Sequence, residues 1–140
     1  MKRHVILSFA AALLLLSCGT RHHTNADDAI PSDDVRADIA TDTVTTPGGD
    51  TLIMAHTATY SEQLGREITI DDIAPTATEY DLLVARLRNS AAEIDGLYSP
   101  ATIAPTDNFT LSGDYMTFYY SPGTVAPTQY GTITITIPRQ

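Results

Sequence analysis

Hydrophobic and polar residues alternate along the C-terminal part of the chain with the two-residue period of a β-strand. Over residues 132–137, isoleucine and threonine alternate strictly, so this strand would bury one face and expose the other. Residues 51–60 alternate in the same way, and shorter apolar segments at 67–70, 109–111 and 115–120 are bounded by turn-forming residues. The pattern predicts several antiparallel strands.

One segment between the predicted strands follows the 3.6-residue period of a helix instead. Thr78 is placed to cap its first turn, and Asp95-Gly96 is placed to end it. Residues 51–140 are therefore predicted to form an α+β domain, in which one main helix packs on a face of a twisted antiparallel sheet of about four to five strands. The apolar stripe of this helix contains Tyr80, Leu83, Val84, Leu87, Ala91 and Ile94.

The N-terminus carries the pattern of a secretion signal. Positions 2 and 3 are basic, and the twelve residues from Val5 to Leu16 are apolar except for one serine. Twelve residues are too few to span a hydrocarbon core of about 30 Å. Ser17 and Cys18 follow, as in bacterial lipoproteins, where cleavage falls before the cysteine and its sulfur receives lipid. We therefore expect a signal peptide over residues 1–17 and a mature protein that Cys18 anchors to a membrane of the bacterial cell envelope, on the periplasmic or cell-surface side.

The segment that follows the cysteine has the composition of a disordered tether. Residues 19–50 contain seven aspartates, no aromatic residue and only scattered aliphatic residues. Such a segment buries too little apolar surface to offset an ordering entropy of about 1–2 kcal/mol per residue. The sequence therefore predicts an acidic, disordered tether over residues 18–50. A short helix around Asp33 to Ala40 is an alternative, but it would have nothing to pack against.

The chain is acidic, with 17 Asp and Glu residues against 8 Lys and Arg residues and a net charge of −9. Removal of the signal peptide would take away Lys2 and Arg3 and make the charge more negative. This balance disfavours nucleic acids as partners, because their phosphates are bound by clustered basic residues. It would attract a basic partner, although charge retained only for solubility remains the alternative.

A series of motifs in the C-terminal half resembles one protein family. The motifs are Gly65-Arg66-Glu67-Ile68-Thr69-Ile70-Asp71-Asp72-Ile73, Asp107-Asn108-Phe109-Thr110-Leu111, Phe118-Tyr119-Tyr120-Ser121-Pro122, Val125-Ala126-Pro127, Gly131 and Ile135-Thr136-Ile137-Pro138. Over about residues 60–138 the chain is similar to the C-terminal domain shared by the anti-sigma factor RsiV and the peptidoglycan deacetylase PdaC, domain of unknown function 3298. The resemblance implies an α+β unit that binds a ligand in the envelope, because RsiV senses lysozyme and the deacetylase chemistry of PdaC resides in a separate domain.

The chain departs from this family pattern at two points. Gly123-Thr124-Val125 replaces a Tyr-Glu-Ile-like run that members usually carry. Many members also have a companion domain upstream, for which residues 51–60 leave room for only one strand. A truncated structural remnant of a two-domain family member is therefore one alternative.

The sequence offers no recognisable catalytic or cofactor-binding motif. Its lone cysteine is expected to carry lipid, His56 is the only histidine in the predicted domain, and no nucleophile elbow, zinc-binding helix or phosphate-binding glycine loop occurs. Neither His22-His23 nor Asp71-Asp72 completes a metal-ligand set, and the two aspartates suit a turn before a helix. We expect no enzymatic activity, no metal and no other cofactor, with an enzyme that modifies cell-wall glycan as the alternative.

A loop near the C-terminus is the predicted binding surface. Residues 121–130 connect two predicted strands and are rich in proline, threonine and tyrosine, of which proline and tyrosine present rigid contact area at low entropic cost. Alternation requires either Tyr119 or Tyr120 to face the core. The sequence predicts a non-catalytic module that recognises a basic protein such as lysozyme, or a cell-wall glycan such as peptidoglycan. Its candidate binding residues are Tyr119, Tyr120, Pro122, Thr124, Val125, Pro127 and Tyr130.

Overall fold

The computed structural model describes residues 34–139. The predicted signal peptide, the lipidation site at Cys18 and the tether up to residue 33 lie outside the described residues. Sheet 1 contains the strands β1, Val35–Thr45; β2, Thr51–Ser61; and β3, Arg66–Glu67. Sheet 2 contains β4, Phe109–Ser112; β5, Tyr115–Tyr120; and β6, Ile133–Pro138. The helices are α1, Ile70–Ile73, and α2, Ala77–Ala91, and short 3-10 turns form at Pro100–Thr102 and Thr128–Tyr130.

The predicted α+β class is confirmed, with one main helix packed against antiparallel strands. The strands divide into two three-stranded sheets where the sequence predicted one sheet, because β2 pairs with β1 on one side and with β3 on the other, and none of these strands pairs with sheet 2. Of the segment predicted as a strand over 67–70, Glu67 belongs to β3 and the Ile68 N–H donates to the Thr59 carbonyl of β2 at 2.7 Å, but the strand does not reach residue 70, where α1 begins. Among residues 34–139, the structure has no helix of the length and apolarity that a membrane crossing requires.

The predicted disorder of the tether is wrong over residues 35–45, which form β1. This strand pairs with β2 without interruption from Val35 and Ser61 to Thr45 and Thr51. The composition of the segment underestimates its tendency to be ordered. A strand can form its backbone hydrogen bonds with a neighbouring strand while its side chains remain in solvent. Ten of the eleven residues of β1 are exposed. The alternative helix around residues 33–40 is also wrong over its described part, since Val35 onwards is extended.

Local hydrogen bonds hold both ends of the β1–β2 hairpin. At its tip, the Gly49 N–H donates to the Thr46 carbonyl at 2.9 Å, and Gly49 has a φ of 89°, in the left-handed region that favours glycine. At its base, the Asp34 carboxylate accepts hydrogen bonds from the Ser61 hydroxyl and from the Gln63 N–H, the latter at 2.9 Å. The hairpin is therefore a defined element with fixed ends.

The core lies between α2 and the inner face of sheet 2. The alternation predicted for β6 is confirmed, because Ile135 and Ile137 are buried while Thr134 and Thr136 are exposed. The rings of Phe109 and Phe118 pack across β4 and β5 with their centroids 5.7 Å apart. Each buried side chain of this size contributes roughly 1.5–3 kcal/mol. From α2 and β5, the core takes Leu83, Leu87, Ala91, Met116, Phe118 and Tyr120.

Helix α2 begins and ends at residues other than those predicted. Its N-cap is Thr76 rather than Thr78, because Thr76 and Glu79 form a reciprocal capping box: the Glu79 N–H donates to the Thr76 hydroxyl at 3.2 Å, and the Glu79 carboxylate accepts from the Thr76 N–H at 3.0 Å. The helix ends at Ala91, before Asp95-Gly96. Of the predicted apolar stripe, Tyr80 is largely exposed.

The short helix α1 contacts β3 through its own Asp72 and the body through the Asp107 carboxylate, which accepts from the first residue of the helix. Asp72 closes a capping box with Thr69 and receives two hydrogen bonds from the Arg66 guanidinium, at 2.6 and 2.7 Å. Its hydrogen bonds with Arg66, supported by those from Thr69, lower the pKa of the Asp72 carboxyl to about 2. The Ile70 N–H donates to the Asp107 carboxylate at 3.1 Å. Asp72 and Asp107 therefore satisfy backbone groups at the start of this helix.

Candidate functional site

The structure distributes the predicted binding residues over three different parts of the fold. Tyr120 is buried in the core, where its hydroxyl donates to the Ala104 carbonyl at 2.8 Å, and burial raises its pKa above the ordinary value. Val125 packs partly buried against the core, and its carbonyl accepts from the Tyr98 N–H at 2.9 Å. Tyr119 points to the opposite side of sheet 2, as the alternation requires.

The remaining predicted residues lie in the connection from β5 to β6. Pro122 and Pro127 are half-buried, and the exposed Thr124 donates its hydroxyl to the Ser121 carbonyl at 2.6 Å. The Tyr130 ring covers Gly96, where an added Cβ would lie 2.8 Å from a ring atom. These side chains therefore stabilise the connection itself. Of the predicted binding residues, only Tyr119 lines the cleft that lies between the hairpin and sheet 2.

This cleft is a groove of about 890 Å³ between the β1–β2 hairpin and the outer face of sheet 2. We call it the hairpin groove. The hairpin contributes its inward-facing residues and the end of its turn, while sheet 2 contributes β5, β6 and the turn before β6. Its lining residues are Ile39, Thr41, Asp50, Thr51, Leu52, Ile53, Ala55, Tyr119, Thr128, Gln129, Gly131, Thr132 and Thr134.

The amide side chain of Asn108 fixes one wall of the groove to the other. Its Oδ1 accepts from the Thr57 N–H at 2.8 Å, which leaves Nδ2 to donate to the carbonyls of Ala55, at 2.7 Å, and Tyr119, at 3.2 Å. A carboxylate could not replace this amide, because the site needs an acceptor and two donors on one side chain. Asn108 therefore sets the position of β2 relative to β5.

Threonine hydroxyls add further links between the hairpin and sheet 2. The buried Thr59 donates to the Phe109 carbonyl at 3.0 Å, and the Thr57 hydroxyl lies 3.0 Å from the same oxygen. At the other end of the groove, the Thr132 hydroxyl donates to the Ile53 carbonyl at 2.8 Å. The groove is therefore held at both ends by hydrogen bonds that join side chains to the backbone.

The chemistry of the groove is that of hydroxyl, amide and apolar groups. Six of its lining residues carry hydroxyls, and among the described residues that line it only Asp50 carries a formal charge. Tyr119 presents its ring to the groove, and its hydroxyl lies 3.5 Å from the Thr110 hydroxyl. This neutral surface contrasts with a chain whose net charge is −9.

A second, smaller cleft of about 510 Å³ continues along the hairpin beside β4. Ile39 and Tyr119 line both clefts, so the two form one continuous surface. A third cleft of about 480 Å³ lies elsewhere, beside Tyr80 and the aspartates 71 and 107. Within residues 34–139, no group of three or more His, Cys, Asp and Glu side chains is placed to hold a metal ion.

Most residues of the hairpin groove were not predicted from the sequence. Ile39 and Thr41 were assigned to the tether, although their alternation with charged neighbours in β1 was a signal for a strand. Asn108 stands in one of the motifs that carry the family resemblance, but its role depends on Ala55 and Thr57, more than fifty positions earlier. No local pattern could have revealed that contact.

Comparison with known proteins places these features in a family. A family model described as "Protein of unknown function (DUF3298)" matches residues 54–140. Among solved structures, the crystal structure of a DUF3298 member from Bacteroides fragilis NCTC 9343 matches with a TM-score of 0.63 and 28% sequence identity. The match covers 75% of this chain and 46% of that chain, so this chain spans about half the length of that relative.

None of the curated proteins compared with this chain matches it. The matched residues 54–140 include most of β2 and everything described after it, and they contain Asn108, Tyr119 and more than half of the residues that line the hairpin groove. The chain therefore belongs to the DUF3298 family, as its ordered motifs predicted.

Proposed function

We propose that this protein is a lipid-anchored, non-catalytic module of the bacterial cell envelope that binds a cell-wall glycan in the hairpin groove. The observation that carries the proposal is the lining of the groove, in which hydroxyl and amide groups alternate with aliphatic side chains around one tyrosine ring. The lipid anchor rests on the predicted signal peptide and Cys18.

A glycan chain has the complementary chemistry. Each sugar ring presents apolar C–H faces, which pack on an aromatic or aliphatic side chain, and a rim of hydroxyls, which exchange hydrogen bonds with threonine and glutamine side chains. In the groove, Tyr119, Ile39 and Ile53 supply the apolar contacts. Thr41, Thr134 and Gln129 supply hydrogen-bonding groups. The groove is open along the hairpin, as a polymeric ligand requires.

The low charge of the groove also supports a neutral ligand. A pocket for a basic peptide would carry carboxylates at the contact surface, because buried charges need partners of opposite sign. Asp50 is the single carboxylate among the described lining residues, and it lies at the turn of the hairpin. Binding in the groove should therefore depend little on ionic strength.

Sedimentation of the full-length protein with insoluble peptidoglycan, in detergent at low and at moderate salt, tests this proposal. Tyr119→Ala should reduce binding about tenfold, the effect of removing one aromatic contact of roughly 1.4 kcal/mol. Tyr115→Ala is the matched control, because Tyr115 is exposed on the same face of sheet 2 but does not line the groove. Equal loss in both variants, or no sedimentation of the wild type, would contradict the proposal.

A basic protein such as lysozyme is a second candidate ligand, and the excess of acidic side chains favours it. Attraction between exposed charges is screened over about 8–10 Å at physiological salt, so such binding would weaken steeply as salt rises. A pull-down of lysozyme by the full-length protein at low and moderate salt distinguishes the two candidates. Capture that vanishes at moderate salt, and that Tyr119→Ala leaves unchanged, would favour the basic partner.

A further inference from the structure

The outer edge of β1 is a long strand edge that pairs with no other strand among residues 34–139. Sheet 1 has the order β1-β2-β3, so β1 is terminal. Its one-to-one register with β2 runs over eleven residues, without a bulge, and the strand contains no proline or lysine. Proteins usually protect such an edge with bulges, prolines or lysines, because its free N–H and C=O groups form a template for another strand.

The hydrogen bonds at the two ends of the hairpin show which residues of β1 direct their N–H and C=O groups to the free edge. The Glu62 N–H donates to the Asp34 carbonyl at 3.2 Å, and the Thr46 N–H donates to the Asp50 carbonyl at 2.8 Å. Even-numbered residues of β1 therefore direct their backbone groups to β2, since antiparallel pairs alternate along a strand. The odd-numbered residues, with Ile39 near the middle, direct theirs outward.

The charged side chains of β1 favour one register for an antiparallel pair between the β1 edges of two copies of the chain. Arg36, Asp38 and Asp42 lie on the same face, and all three are exposed. In an antiparallel pair centred on Ile39, Arg36 of each copy lies opposite Asp42 of the other. Asp38 then lies opposite Ala40, so no two like charges lie directly opposite each other.

Neighbouring registers are less favourable. Centring on Asp38, Ala40 or Asp42 places an aspartate opposite an aspartate, which destabilises a cross-strand pair. Centring on Thr41 pairs no opposite charges. Centring on Ala37 pairs Arg36 with Asp38 but overlaps only residues 35–39 of the strand, whereas the register centred on Ile39 overlaps residues 35–43.

We infer that a second copy of this chain docks on the β1 edge, in an antiparallel two-fold pair centred on Ile39. The pair joins the two copies of sheet 1 into one six-stranded sheet, and it is isologous, as most closed dimers are. Because Ile39 also lines the hairpin groove, the grooves of the two copies meet across the two-fold axis. A dimer would therefore present one extended groove instead of two separate ones.

Charge exchange tests the register. In sedimentation equilibrium of the full-length protein in detergent, Asp42→Arg should weaken dimerisation roughly tenfold or more, since it places like charges at two symmetric positions. The double variant Arg36→Asp/Asp42→Arg should restore the wild-type dissociation constant to within about threefold. Asp114→Arg is the matched control, because it makes the same change of charge in the exposed turn between β4 and β5.

A cysteine placed at the axis gives an independent measurement. Residues of a hydrogen-bonded antiparallel pair have Cα atoms about 5.5 Å apart, within the range of a disulfide. In a full-length Cys18→Ser background, which removes the one native cysteine, Ile39→Cys should therefore form a covalent dimer on mild oxidation, whereas the background protein alone and Val44→Cys in the same background should not. A wild-type protein that stays monomeric, a dimer unaffected by Asp42→Arg, or equal cross-linking of both cysteine variants would each overturn the inference. None of these results depends on glycan binding.

Discussion

The β1–β2 hairpin and the body formed by sheet 2 and α2 bury very different fractions of their side chains. In β1 ten of eleven residues are exposed, whereas in β5 every second residue is buried. The body is held by apolar packing, while the hairpin depends on its own hydrogen-bond ladder and on the polar links made by Asn108, Thr59 and Thr132. The structure of the body therefore depends on apolar burial and little on any single polar contact. The position of the hairpin, which forms one wall of the groove, depends on a few hydrogen bonds, and the hairpin buries little apolar surface.

The largest expected effect concerns the core of the body. Leu87 is 0% exposed on α2, so Leu87→Ala should lower the free energy of unfolding by about 2–5 kcal/mol through lost burial and a residual cavity. Leu82→Ala, on the same helix but 51% exposed, should change it by less than about 0.5 kcal/mol. Urea titration followed by far-UV circular dichroism measures both. Similar losses would show that α2 does not cover the core as described.

The second effect separates the hairpin from the body. Asn108→Ala removes the links to Ala55, Thr57 and Tyr119 and should cost roughly 1–3 kcal/mol, because it also leaves partly buried backbone groups without these partners. Hydrogen exchange should show faster exchange of the amides of β1 and β2, with those of α2 little changed.

Asn89→Ala is the control for this experiment, since Asn89 is exposed on α2. Uniform acceleration across hairpin and body in Asn108→Ala would mean that the two regions unfold as one unit. The hairpin and the body would then not be stabilised separately, by polar links and by apolar packing.

A third effect concerns the junction between β3 and α1. The folded-state pKa of Asp72 lies at about 2, below its ordinary value of 3.8. The Arg66–Asp72 contact therefore adds stability that is fully present above about pH 4. This stability is lost as the pH falls through about 2. Asp72→Asn should cost about 1 kcal/mol or less at neutral pH, and the variant should lack this part of the acid-induced loss. Asp71→Asn is the control, and an identical acid profile in wild type and Asp72→Asn would refute the assignment.

The smallest effect concerns the tip of the hairpin. Gly49 has a φ of 89°, so Gly49→Ala should destabilise the turn by about 1 kcal/mol, with faster amide exchange limited to the residues beside the turn. Gly48→Ala has no such conformational cost, because Gly48 lacks a positive φ and an added Cβ would make only ordinary contacts. Equal behaviour of the two variants would contradict the described turn.

The sequence predicted the elements of the body better than those of the groove. A hydrophobic period within one segment was enough to predict each of three features of the body. These are the alternation of β6, the inward position of one of the adjacent tyrosines, and the apolar stripe of α2. The start of α2 was misplaced by two residues, because Thr76 and Thr78 both precede an acidic residue by three positions and only the capping geometry distinguishes them. β1 was missed because its composition is that of a solvated segment and its order comes from β2. The hairpin groove requires Ile39, Tyr119 and Gln129 to meet, and nothing local in the sequence brings them together.

The long sequence separation between Asn108 and its partners in β2 also bears on the order of assembly. The contact with Thr57 spans 51 positions. During synthesis from the N-terminus, the hairpin can therefore form from neighbouring residues well before its docking surface exists. In that interval both its faces and its outer edge are open to other chains, so the nascent protein would be most prone to aggregate before β4 emerges. A chaperone that covers residues 35–61 during this interval would raise the yield of folded protein more than one that acts after β6 has emerged.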